Sequence, residues 1–182
     1  MPMPWAARNR TSQPRCGGRG HPQITAKNAS SEIAYTLSYI MRVVVDTNIL
    51  VAALLSGGGA SRGIVRLCLQ RAVTPLIGAA LFAEYEDVLG RTALFERSRL
   101  DAFEREAVFD ALMSVCVWTP IYYLWRPNLP DPGDDHLVEL GIAGAAEWIV
   151  TENLRDLRQG ELRFPDLRIG TAGDFMKTWE TR

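Results

Sequence analysis

Residues 42–56 read Arg42-Val43-Val44-Val45-Asp46-Thr47-Asn48-Ile49-Leu50-Val51-Ala52-Ala53-Leu54-Leu55-Ser56. The run 42–46 is short and almost wholly apolar and β-branched before its acid, which suits a central parallel strand buried on both faces. Thr47-Asn48 then opens a helix that runs through Ile49–Leu55, with either residue able to cap it. Ser56-Gly57-Gly58-Gly59 breaks that helix.

Outward from this stretch the same alternation repeats. Helices are expected over Ser61–Ala72, Ala80–Leu89, Leu100–Met113, Asp134–Ala146 and Ala172–Trp179. Gly90 stops the second of these, and Asp101 and Glu104 suit the start of the third. Strands are expected over Val73–Gly78, Val115–Trp118, Trp148–Thr151 and Leu167–Ile169. Strands alternating with helices give an α/β three-layer sandwich, a central parallel sheet with helices on both faces. Ligands of such folds sit at the C-terminal ends of the strands.

The chain of 182 residues is long enough for one domain with a proper core. Residues 1–30 are rich in Pro, Gly, Arg and Ser and cannot bury a core. Residues 1–40 are therefore read as a disordered or over-extended N-terminal extension, because Met41 stands directly before the first strong strand. A mitochondrial-type presequence is the other reading, and no amphipathic helical pattern supports it. Residues 31–40 fit a helix or a strand equally. The folded domain is placed at 41–182. No apolar run reaches the roughly 18 residues of a membrane-spanning helix, so no membrane is expected. The three cysteines, Cys16, Cys68 and Cys116, have neither disulfide nor zinc spacing, which favours a reducing cytoplasm.

Net charge is −1, unevenly spread. Residues 1–40 hold five Lys/Arg and one acid, leaving fifteen basic against twenty acidic residues, a net −5, for the rest. An acidic body suits a nucleic-acid binder only where its acids hold cations. The strand-end rule locates such acids. Asp46 ends the first strand, Glu84 lies one turn into the helix after the second, Asp134 and Asp135 open a later helix, and Thr151, Asn153 and Asp156 close or follow the strand 148–151. In a parallel sheet those junctions share one edge. Gathered carboxylates repel each other and need a cation. Oxygen ligands with scarce His favour Mg²⁺, or Mn²⁺, over Zn²⁺. The chemistry that uses such a site is phosphodiester hydrolysis.

Three segments carry a family resemblance: VVVDTNILVAALLS (43–56), AEYEDVL (83–89) and DPGDDHLVELGIAGAAEWIVTENLRDL (131–157). Together they resemble the PIN-domain family over residues 42–177, and in particular its bacterial, VapC-like toxins of toxin–antitoxin pairs. The resemblance implies a Mg²⁺-dependent endoribonuclease acting on RNA, the toxin of a type II pair, with an antitoxin protein as partner and a homodimer as the expected assembly. It implies that Asp46, Glu84 and Asp134 are the metal-binding catalytic acids and that Asn48 hydrogen-bonds within the site, with Thr151 and Asn153 supporting. Asp135 could substitute for its neighbour. The family's Thr-x-Asp is here Thr151-Glu152-Asn153, so an Asn replaces the usual acid and Asp156 is the residue that could restore the charge.

Plainer roles compete for most of these residues. Asp46 or Asp134 could simply cap a helix, Glu84 could be a solvated helix residue, and Asp156 a loop acid. His136 is expected exposed in the first turn of its helix. Arg62 and Arg66 read as solvated, with phosphate contact as the alternative. The 57–61 loop lacks the Gly-Lys-Ser/Thr of a nucleotide-binding loop and reads as a flexible loop beside the site. Cys68 and Cys116 read as core. Ile121-Tyr122-Tyr123-Leu124-Trp125 reads as packing or partner surface, with base stacking as the alternative. Two other functions compete: a PIN-like RNA- or partner-binding module without turnover, and a haloacid-dehalogenase-type phosphohydrolase. The latter needs a second Asp where Asn48 stands.

Overall fold

The computed structural model describes residues 40–126 and 128–182. The expectations for residues 1–39, Cys16 among them, lie outside those residues. Five strands form one sheet: β1 (Arg42–Val45), β2 (Thr74–Ile77), β3 (Val117–Trp118), β4 (Trp148–Val150) and β5 (Arg168–Gly170). Their order is β3-β2-β1-β4-β5, and every pairing is parallel. In the centre, Val44 lies opposite Leu76 on one side and Ile149 on the other. Val43, Val44 and Val45 are all buried. Successive strand residues point to opposite faces, so three buried in a row mean both faces are covered.

Seven α-helices are present among the described residues: α1 (Thr47–Leu55), α2 (Ala60–Leu69), α3 (Ala79–Gly90), α4 (Ala102–Met113), α5 (Asp135–Ala143), α6 (Leu154–Leu157) and α7 (Ala172–Glu180). Helix α5 lies across β1, β2 and β4, and α7 packs on β4, β5 and α2. The core between these layers includes Ile49, Ile64, Leu81, Leu112, Leu137, Leu140, Ile149 and Phe175, all essentially inaccessible. Cys68 is in that core and Cys116 is packed against it. Burial pushes both thiols up to about 12.

The α/β sandwich is the architecture expected, with corrections at element ends. Helix α4 begins at Ala102 rather than Leu100, because Asp101 and Glu104 form a reciprocal capping box. Helix α5 stops at Ala143 rather than Ala146. Gly144 there sits so close to β2 that a Cβ would meet Leu76 Cδ1 at 2.2 Å, and Ala145 turns the chain at φ 49°. The strand expected at 115–118 is only two residues long and exposed, as befits a sheet edge. Helix α6 and a 3₁₀ turn at Thr92–Phe95 carry no periodicity long enough to have been foreseen.

Candidate active site

From β1 the chain continues to β2 and β3 on one side, and β4 and β5 lie on the other. The strand order therefore reverses between β1 and β4, the position where open α/β sheets bind ligands. Asp46 and Thr151 stand at the C-terminal ends of these two strands. The backbone of Asp46 does two jobs there. Its N–H donates to Val150 O at 3.0 Å, extending the sheet, and its carbonyl accepts from Ile49 and Leu50, starting α1. Its side chain makes no cap hydrogen bond.

The Asp46 carboxylate instead enters a network across the switch point. Oδ2 accepts from Thr151 Oγ1 at 2.5 Å and from Asn48 Nδ2 at 2.6 Å. Thr151 Oγ1 in turn accepts from Asn48 Nδ2 at 3.2 Å and from the Asn153 backbone N–H at 2.9 Å. Asn48 Oδ1 accepts from the Glu152 backbone at 3.2 Å. These bonds tie the first turn of α1 to the turn after β4. Neither Thr47 nor Asn48 caps α1, contrary to the sequence reading: Thr47 Oγ1 donates to Glu84 Oε2 at 3.0 Å, and Asn48 spans to β4. Thr151 is fully buried and Asp46 nearly so.

Asp134 precedes α5 and likewise makes no side-chain cap. Its Oδ2 accepts from Asn153 Nδ2 at 2.8 Å. Burial, then the charges of Asp46 and Asp131, push the Asp134 carboxyl above the usual carboxylate range. The bond from Asn153 and the nearby His136 oppose that shift. Asp46 and Asp134 are thus close enough to repel, and Asn153 meets one of them with an amide where the family carries another acid.

The remaining residues divide. Glu84 projects from α3 with its side chain 43 % exposed, held by Thr47, and its Oε1 lies 3.5 Å from His136 Nε2. His136, expected exposed, is 4 % accessible, because it is tucked over the turn before α5 with Nδ1 2.7 Å from Gly133 O. Asp135 is 1 % accessible, its Oδ1 accepts from the Leu129 backbone at 2.9 Å, and its buried Oδ2 has no hydrogen-bond partner among the described residues. That contact makes it a support for the preceding loop. Asp156 lies in α6, half-buried. Arg62 donates to Ser56 O at 3.0 Å. Tyr122, Tyr123 and Leu124 are exposed rather than packed.

The sequence offered Thr47 only as a possible cap and gave Tyr85 no role. Buried Tyr85 donates to the Val45 carbonyl at 2.5 Å, just before Asp46, from the residue after Glu84. A Tyr beside the second acid, on a helix facing β1, was the available signal. Burial holds its hydroxyl well above its ordinary value, so it stays a neutral donor.

No three carboxylate, imidazole or thiolate groups among the described residues stand close enough to enclose a metal ion. Mg²⁺ does not require that, since it keeps several waters and takes one or two carboxylates. Asp46 and Asp134 each bind their donors through Oδ2, and no donor among the described residues reaches either Oδ1. Two neighbouring carboxylates, each with an oxygen to spare at a strand-tip switch point, fit a hydrated hard dication.

A family model described as PIN domain matches residues 42–155, more than half of the chain. The chain belongs to the PIN-domain family. Families of this kind are generally nucleases that use divalent metals. No curated protein matches the chain. Among solved structures, the chain is similar to one in the crystal structure of VapBC2 from Rickettsia felis bound to a DNA fragment from their promoter. That likeness has 17 % identity and TM-score 0.49, and it covers 72 % of this chain and 98 % of that one.

Proposed function

We propose that this PIN domain is a Mg²⁺-dependent endoribonuclease, with Asp46, Glu84 and Asp134 as its acidic centre, and that it is the toxin of a type II toxin–antitoxin pair in the cytoplasm. The supporting observation is the pairing of Asp46 with Asp134 at the β1/β4 switch point through Thr151, Asn48 and Asn153. When bound, a divalent cation neutralises phosphate charge and makes water a better nucleophile. The chain's own residues supply the rest. Asp46 and Asp134 would hold the cation, their Oδ2 atoms being already engaged by the protein's own donors. Thr151 and Asn48 fix the Asp46 carboxylate plane, as outer-shell partners of a metal ligand do. Asn153 fixes Asp134, and Thr47 fixes Glu84, the third acid that would hold the cation. The antitoxin and homodimer assignments rest on the resemblance of the sequence to bacterial toxins of this family. Asp135 and Asp156 have no part in this reading.

The test is cleavage of a structured RNA by the purified chain, with and without Mg²⁺, and with Asp46→Asn. Cleavage is expected only with Mg²⁺ and unsubstituted Asp46; cleavage that survives chelation or the substitution would sink the mechanism. A second reading, RNA or partner binding without turnover, is favoured by Asn153, whose amide already meets the Asp134 charge. It is distinguished by RNA binding that persists with no product at any Mg²⁺ concentration.

A further inference from the structure

We propose that Tyr123, Trp125 and Phe164 form a stacking platform for unpaired bases, so that the chain takes single-stranded RNA in preference to duplex. The proposal rests on the reading of the chain as a ribonuclease and names the form of its substrate. Two loops build the platform. The first follows β3, which ends at Trp118 and runs parallel to its neighbour, so it starts from the sheet edge that carries Asp46 and Thr151. It then lies along α5: the Trp125 N–H donates to Glu139 Oε1 at 3.0 Å and the Leu129 N–H to Asp135 Oδ1 at 2.9 Å. Glu139 is five residues beyond Asp134, about 7.5 Å along the helix axis. Arg126 adds two bonds to Glu139, each 3.1 Å. The second loop joins β4 to β5, and Asn128 staples it to the first: its Oδ1 accepts from the Leu162 N–H at 2.8 Å and its carbonyl from the Glu161 N–H at 3.1 Å. Glu139 and Asn128 are both buried, so the two loops are fixed before anything binds.

On this frame the Tyr123 and Trp125 rings stand 5.3 Å apart, tilted by 48°, and Phe164 of the second loop meets Trp125 at 5.8 Å. Tyr123 remains 70 % exposed. An open ring on a preformed frame suits a base, and such stacking tolerates any sequence because every base has a π-face. A base inside a duplex is already stacked on its neighbours, so the platform selects unpaired ones. Charge favours RNA as the occupant. The segment 41–182 carries a net −5, yet the run 114–130 holds one arginine and no acid. A cavity of about 410 Å³ beside Phe164 is lined in part by Arg158 and Arg163 and by no carboxylate. That reverses the charge of the body as a whole and is the sign a sugar–phosphate chain requires.

The experiment measures binding of a non-cleavable single-stranded RNA carrying 2-aminopurine to the full chain in Mg²⁺, beside a duplex of the same sequence. Quenching of the 2-aminopurine is expected, with the single strand bound about tenfold or more tighter than the duplex. Tyr123→Leu keeps an apolar side chain but loses the ring. It should weaken single-strand binding about fivefold or more, whereas Tyr123→Phe should stay within about twofold of the parent. Tyr123 is exposed, so neither change puts the fold at risk. Equal affinity for the two forms, binding without quenching, no binding at all, or a Tyr123→Leu variant that binds like the parent overturns the proposal. A Tyr123→Leu variant that binds RNA unchanged but has a smaller mass in solution would make the rings an interface between copies of this chain. Stacked binding of single strands with no cleavage of ordinary RNA in Mg²⁺ would sink the nuclease reading alone. Cleavage of single strand and duplex alike, unaffected by Tyr123→Leu, would sink the platform alone.

Discussion

At the scale of single residues, the site sets catalysis against stability. Asp46→Asn keeps the size of the side chain but loses a ligand oxygen and its charge, so cleavage should fall at least about 100-fold with the fold intact by circular dichroism. Thr151→Val keeps both charges and removes the hydroxyl that fixes Asp46; a loss of about 10- to 100-fold is expected, and unchanged activity would deny Thr151 a positioning role. Asp134 offers a test in the other direction. Its carboxyl is raised in the folded protein, so the folded state holds the proton more tightly than the unfolded chain. The metal-free protein should therefore gain stability as pH falls from neutrality through that raised value, because protonation relieves the repulsion. Asp134→Asn should mimic this at neutral pH, raising the metal-free Tm by about 1–3 °C. A Tm that falls on substitution would show that the Asn153 bond outweighs the repulsion. That Asp46 ends the first strand and Asp134 opens a later helix was legible in the sequence, the one from the apolar run before it and the other from the Pro-Asp-Pro-Gly turn. His136 was not, because one turn of helix does not reveal which way a side chain folds back.

At the scale of elements, the sequence announced those whose periodicity is long or whose ends carry a chemical signal. The β1 run with its terminal acid, α3 closed by Gly90, and α4 opened by Asp101 are of this kind. The short pieces α6 and the 3₁₀ turn, and how little of the 115–118 run pairs as β3, are set by tertiary contacts that no local pattern records. The end of α5 shows how such a contact acts. The chain leaves α5 so close to β2 that a Cβ at position 144 would have to displace the buried Leu76 side chain, and the Gly144 carbonyl accepts from Arg42 at 2.9 Å. Gly144→Val should therefore overpack the α5/β2 contact and cost about 1–3 kcal/mol, read as a lower denaturant midpoint with an unchanged slope. A neutral result would mean that α5 can shift off the sheet, and with it Asp134 and His136.

At the scale of the whole molecule, charge decides how RNA can be held. The segment 41–182 carries a net −5, and the five Lys/Arg of residues 1–40 lie outside the described residues. A net-negative body has little to offer phosphates by itself, and what attraction it has must come through cations held by its acids or through the basic N-terminal residues. The two sources separate by their salt dependence. Binding of a non-cleavable RNA should show a salt slope no steeper than about −3.5, the value for five single-strand phosphate contacts. Replacing Arg8, Arg10, Arg15, Arg19 and Lys27 with Gln should flatten that slope towards zero, and what binding remains should require a divalent ion. If the substituted chain still binds without divalent ion and with a steep slope, a basic surface on the folded domain is holding the RNA, and the acids at the β1/β4 switch point are not what brings phosphate to the site.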